Sequence, residues 1–235
     1  MLTLPWINPQ RVALFGTSAD PPHLGHRGIL EWLSYEFDQV AVWASENPYK
    51  PKQSPLHDRA EMLRLLIQTL PETLPVKVPP QKVSEQPENT RNVAVYQSLS
   101  DRYTIHSIAR ARQLWPKAKF TFVVGADLID QLPKWYQAEA IFAQVDILVF
   151  PRPGHPIEGP ALSALRHQAN VAIAHPKDQH NIASSRYRQP DCGEIPNDLP
   201  PVIRNYITEH DLYPCLQTRL APHQSKLPSQ LPVPR

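Results

Sequence analysis

Arg11-Val-Ala-Leu-Phe15-Gly16-Thr17-Ser18-Ala19-Asp20-Pro21-Pro22-His23-Leu24-Gly25-His26 is the stretch on which the fold turns. It starts as a short apolar run and stops at a glycine. Phe120-Thr-Phe-Val-Val124 repeats the pattern and stops at Gly125, and Val145-Asp-Ile-Leu-Val-Phe150 stops at Pro151. Val40-Ala-Val-Trp43 and Val171-Ala-Ile-Ala174 are shorter relatives. Runs this long, with little polar alternation, fit strands buried on both faces of a parallel sheet. Helical patterns lie between them. Ser54 and Pro55 read as an N-cap and a first-turn proline. Leu56, Ala60, Leu63, Ile67 and Leu70 then share one helix face. Residues 26–37, 104–115 and 200–209 also read as helices. Strands alternating with helices give βαβ units, so the expected class is α/β, doubly wound, with a mostly parallel sheet.

The 235 residues suit one domain with an extension. We expect a domain over 1–213 and a disordered proline-rich tail over 214–235. From Pro214 onward there are five prolines, no periodicity and few large apolar side chains. Residues 71–101 read as irregular, with one strand near Val76–Val83. Lys and Arg number 24 against 22 Asp and Glu, a net charge of +2. So small an excess argues against bulk binding of nucleic acid. Cys192 and Cys215 form neither a C-x-x-C pair nor a zinc spacing, and a reducing compartment follows. The first residues lack the basic start and apolar core of a secretory signal, and no stretch has the ~20 apolar residues of a membrane span. The expectation is a cytoplasmic protein without a membrane partner.

The turn after the first strand is where an open α/β sheet binds ligands. It is neither G-x-G-x-x-G nor a P-loop. It carries His23-Leu24-Gly25-His26 where a helix begins. Gly25 allows close backbone approach, free N–H groups at the helix start suit an anion, and imidazoles can donate to phosphate oxygens. Two ordinary surface histidines are the plain alternative for an isolated HxGH. Its place directly after a buried strand favours the site.

Gly16 to His26 resembles the G-G-T-F-D-P-x-H-x-G-H signature of the nucleotidylyltransferase superfamily. Three further segments resemble the bacterial nicotinate-nucleotide adenylyltransferases. They are Tyr103-Thr104-Ile105, the block from Gly125-Ala126-Asp127 to Trp135-Tyr136, and Ile182-Ala183-Ser184-Ser185-Arg186-Tyr187-Arg188. The likeness runs in order over about residues 11–213 and closes on Leu199-Pro200 through Tyr213. Thr17 stands where the signature has its second glycine, and Ala19 where it has phenylalanine. Ala183, Ser185 and Tyr187 depart from the late motif.

The resemblance implies AMP transfer from ATP to nicotinate mononucleotide. His23, His26 and Arg188 would be catalytic, the histidines on the ATP phosphates and the arginine on the departing pyrophosphate. Gly16, Thr17, Ser18, Gly25, Ser184 and Ser185 would contact ATP. Ser184 would sit at the start of a late helix. Thr104, Asp127, Trp135, Tyr136 and Lys50 would line the mononucleotide, with Trp135 against the pyridine ring. Each has a plainer alternative: a surface ion pair for Arg188, a solvated loop lysine for Lys50, a helix cap for Asp127, core packing for Trp135. Magnesium would travel with the triphosphate, with no dedicated protein ligands. The other histidines show no metal spacing.

Competing readings are a phosphopantetheine adenylyltransferase, a cytidylyltransferase, transfer to nicotinamide mononucleotide, or a non-catalytic nucleotide-binding regulator. The Leu132-Pro133-Lys134-Trp135 block and the length weigh against the first two. Intact His23, His26 and Arg188 weigh against the last. A class I aminoacyl-tRNA synthetase would need a K-M-S-K-S loop, which is missing.

Overall fold

The apolar runs become neighbours in one sheet in the computed structural model, which describes residues 9–46, 53–71, 92–176, 184–188 and 197–214. The strands are β1 (Arg11–Thr17), β2 (Gln39–Ala44), β3 (Val93–Val95), β4 (Lys119–Gly125), β5 (Asp146–Phe150) and β6 (Val171–Ile173). The helices are α1 (Leu24–Glu36), α2 (Leu56–Gln68), α3 (Thr104–Leu114), α4 (Ala138–Phe142), α5 (Pro160–Arg166) and α6 (Pro201–Glu209). Every pairing is parallel and the order is β3-β2-β1-β4-β5-β6.

Side chains alternate across this sheet and both faces are covered. Ala13, Phe15, Val40 and Val42 pack with Leu30 and Leu33 of α1, Leu63 and Leu66 of α2, and Ile203 and Ile207 of α6. Val12, Leu14, Ala41 and Trp43 pack with Ile108 of α3, Ile141 of α4 and Leu165 of α5. Each fully buried leucine or isoleucine contributes roughly 2 kcal/mol. Two-sided burial explains why the strands read as continuous apolar runs.

The strand order reverses between β1 and β4. Connections leave these two strands in opposite directions, and a crevice opens at their carboxyl ends. Thr17 and Gly125 therefore finish on the same rim.

Several local expectations change. β3 lies at Val93–Val95, within the segment read as irregular, and the strand expected near 76–83 falls outside the described residues. α4 and α5 are additional. α1 begins at Leu24, two residues before the sequence pattern starts it. Ser54 does not cap α2: the helix starts at Leu56, Pro55 occupies the cap position, and no side chain bonds there. The Ser54 backbone is engaged elsewhere, its N–H with Asp20 and its carbonyl with Arg59. The tail beyond Pro214 lies outside the described residues.

Candidate active site

His23 is the N-cap of α1, with extended backbone at φ −143° and ψ 179°. Its Nδ1 accepts the N–H of Gly25 at 3.1 Å. One turn on, His26 Nδ1 accepts the N–H of His23 at 3.3 Å. Two imidazoles thus form the reciprocal cap that Ser and Glu usually make. An Nδ1 that accepts carries no proton, so each neutral ring bears its proton on Nε2. His26 Nε2 then donates to Thr17 Oγ1 at 3.1 Å. The rings lie 4.0 Å apart, and both histidines are buried. The departure at Thr17 therefore has a structural use: a glycine there could not hold the second imidazole.

Distant parts of the chain fix this turn. Arg59 of α2 is buried, and its Nη1 donates to the carbonyls of Ser18 (2.9 Å) and Ser45 (2.8 Å). Its Nε donates to the Ser54 carbonyl at 2.9 Å. Burial pushes this guanidinium below its usual pKa, while Asp20 pulls the other way. Asp20 is fully buried. The Tyr213 hydroxyl donates to Asp20 Oδ1 at 2.5 Å and the Ser54 N–H does so at 3.3 Å. Leu24 N–H donates to the Asp198 carbonyl at 2.9 Å, and Tyr187 donates to the Asp198 carboxylate. Tyr187, another departure, is almost fully buried.

The late motif forms a short 3-10 turn over Ser184–Arg188. Ser184 Oγ donates to the Pro21 carbonyl at 2.9 Å, and Ser185 is exposed. Arg188 Nη1 donates to the Asp20 carbonyl at 2.5 Å and lies 3.5 Å from Asp20 Oδ2. Gly16 also answers to packing. A Cβ there would meet the Trp43 indole at 2.9 Å.

Across the crevice, β4 ends at Gly125, where a Cβ would fall 2.4 Å from Asp127 Oδ1. Asp127 Oδ2 accepts from Arg152 Nη1 at 2.7 Å, so its carboxylate is ion-paired as well as near the strand end. Thr104 is the first residue of α3. Trp135 is half-buried, edge-on to Phe122 at 6.0 Å. Tyr136 is 52 % exposed and packs against Tyr103 at 4.6 Å. Lys50 lies outside the described residues.

Sequence reading missed Arg59, Asp198, Tyr213 and Arg152. Arg59 had one signal, a charge one residue from Ala60 on the apolar face of α2. Tyr213 entered only as the last residue of the closing segment of the resemblance, with no role, and Asp198 and Arg152 had no signal. Among the described residues no group of three or more His, Cys, Asp or Glu could hold a metal ion, and no helix is long and apolar enough to cross a membrane. A surface hollow of about 580 Å³ between α5 and β6 lies at the far sheet edge. It is lined by groups such as Leu162 and Val171 and touches none of the residues above.

A cytidylyltransferase-like family model matches residues 14–190. A Synechocystis protein named "probable nicotinate-nucleotide adenylyltransferase" is 36% identical over 216 residues, covering 86% of this chain and 98% of its own. The nicotinate-nucleotide adenylyltransferase of Bacillus subtilis is 26% identical, covering 87% and 98%. Among solved structures, the nicotinic acid mononucleotide adenylyltransferase of Plasmodium falciparum complexed with NaAD superposes with a TM-score of 0.69. It shares 19% identity and covers 87% of this chain and 98% of its own, a likeness of fold. With the histidine cap at the switch point of this sheet, these matches establish that the chain belongs to the nicotinate-nucleotide adenylyltransferase family.

Proposed function

We propose that the chain transfers the AMP group of ATP to nicotinate mononucleotide, giving nicotinate adenine dinucleotide and pyrophosphate in NAD biosynthesis. The carrying observation is the reciprocal His23–His26 cap at the switch point, in a chain of this family. The mononucleotide 5′-phosphate attacks the α-phosphorus of ATP. The bond from that phosphorus to the oxygen bridging the β-phosphate breaks, and pyrophosphate leaves in line. The nucleophile is already anionic, so no general base is needed, and catalysis is positioning plus charge stabilisation.

His23 and His26 donate Nε2–H to phosphate oxygens, where they stabilise charge developing in the transition state. His26 exchanges its Thr17 bond for one to phosphate. Gly16, Thr17, Ser18 and Gly25 line the triphosphate, with Ser184 and Ser185 closing its far side. Arg188 holds the pyrophosphate, which suits a guanidinium fork. Magnesium enters as part of the ATP substrate and offsets triphosphate charge. The reaction runs in the cytoplasm, in keeping with a chain that has two cysteines and no disulfide spacing.

On the other side, Trp135 offers its face to the pyridine ring. Asp127 and Lys50 meet the ribose and phosphate. Thr104 and the Tyr136 amide donate to the nicotinate carboxylate. No Asp or Glu lies between Leu132 and Ala138 to repel an anion. A site built for a charged group rejects its neutral analogue, because its donors are left unsatisfied. We expect kcat/KM for the acid mononucleotide to exceed that for the amide by at least about 10². Parallel kinetics with both substrates test this. Equal efficiencies, or preference for the amide, would reject the pocket assignment. The absence of any dinucleotide from folded protein would reject the function.

A further inference from the structure

Tyr213 reaches the phosphate turn from 193 residues away. It lies in the turn after α6, and its backbone is left-handed at φ 53°, as is that of Asp211 at φ 51°. Bulky residues avoid that region, and such strain collects at functional sites. Its partner stands on similar backbone: Ala19, just before Asp20, has φ 43°. Strained segments at both ends of the chain thus meet in one hydrogen bond inside the protein. Tyr213 is 7 % exposed. Burial, then the Asp20 carboxylate, push its phenol well above its ordinary pKa, so it stays a donor.

Asp20 divides its two oxygens between separate tasks. Oδ1 accepts from Tyr213 and Ser54. Among the described residues Oδ2 has no hydrogen-bond partner, and it faces the Arg188 guanidinium across 3.5 Å. Arg188 is tethered by Nη1 alone, and among the described residues its Nε and Nη2 make no hydrogen bond. Nε and Nη2 form the side-on edge that grips two oxygens of a phosphate.

We propose that Tyr213 is a positioning residue of the nucleotide site. By orienting Asp20, it presents the Nε–Nη2 edge of Arg188 to the leaving pyrophosphate. This rests on the adenylyl-transfer reading above. Without the phenol, Asp20 is no longer held in place, and without its charge it no longer engages the guanidinium; in both cases Arg188 loses the fixed partner that turns its Nε–Nη2 edge to the anion.

The test is calorimetric binding of inorganic pyrophosphate with magnesium to wild type, Tyr213→Phe and Asp20→Asn, beside steady-state kinetics. Both variants should bind pyrophosphate about tenfold more weakly and raise KM for ATP, with KM for the mononucleotide unchanged. Tyr213→Phe added to Arg188→Ala should cost nothing further. Asp20→Asn carries the test if Tyr213→Phe does not fold. A purely structural tyrosine would lower the melting temperature while leaving pyrophosphate affinity within twofold. It would also add its effect to that of Arg188→Ala. Either result, or wild type that binds no pyrophosphate, overturns the inference. Wild type that binds pyrophosphate through this link but makes no dinucleotide would overturn the reaction and spare the inference.

Discussion

At the end of β1, the chain from Ser18 to Leu24 is held by residues far away in sequence. Ser18 is tied to Arg59, Asp20 to Tyr213 and Arg188, Pro21 to Ser184, and Leu24 to Asp198. At the end of β4, the chain from Ala126 to Gln137 is held mostly by itself. Its turns close through Ile129 to Ala126, Gln131 to Leu128, Lys134 to Gln131 and Trp135 to Leu132. The Arg152–Asp127 pair is its main remote polar tie. One side buries Asp20, His23 and Arg59; the other leaves Tyr136 half in water. Phosphoryl transfer gains most from donors fixed before the reaction, since they need no reorganisation at the transition state. A wall that reads a planar ring can close around it.

The largest effect should come from breaking the remote support. Arg59→Met leaves three carbonyls without this donor and removes one of the two cations beside Asp20, the other being Arg188. We expect a loss of about 3–5 kcal/mol, which lowers Tm by on the order of 10 °C. Thermal unfolding followed by circular dichroism measures it, and a shift below two degrees would show that the turn stands on local contacts. Next comes His26→Ala, which removes a transition-state donor from the rigid side. It should cost about 10²–10³ in kcat while the protein stays folded. Retention of more than about a tenth of wild-type kcat would contradict the role. Smallest is Tyr136→Ala on the open wall. Stability should change by at most about 0.5 kcal/mol, as for other exposed side chains. KM for the mononucleotide should rise about threefold with kcat little changed, the loss of one partly exposed aromatic contact. A stability loss as large as that of Arg59→Met would erase the contrast between the two walls.

The same contrast governs what could be read from sequence. β1, β2, β4 and β5 were legible because burial makes each strand a nearly continuous apolar run; β6, an edge strand with Ala172 exposed, was legible from its short apolar run alone. The histidine cap was legible because it is local: His23, Gly25 and His26 lie within one turn. β3 was missed because it has three residues in a proline-rich, polar segment. α4 and α5 have five and seven residues, too few to display a helical period. Arg59 and Tyr213 act through single bonds to distant loops, which no local pattern encodes. In α2 an arginine on the apolar stripe looks like a solvated side chain. Only the fold brings the Ser18, Ser45 and Ser54 carbonyls to it.

The most direct measurement follows the α-phosphorus. Folded protein is incubated with magnesium, nicotinate mononucleotide and ATP labelled at the α-phosphate, and the products are separated. The label should appear in nicotinate adenine dinucleotide, with the β- and γ-phosphates leaving together as pyrophosphate. Label in ADP, β- and γ-phosphates released separately, or dinucleotide formed equally fast by the His26→Ala protein would contradict adenylyl transfer at the β1–α1 turn.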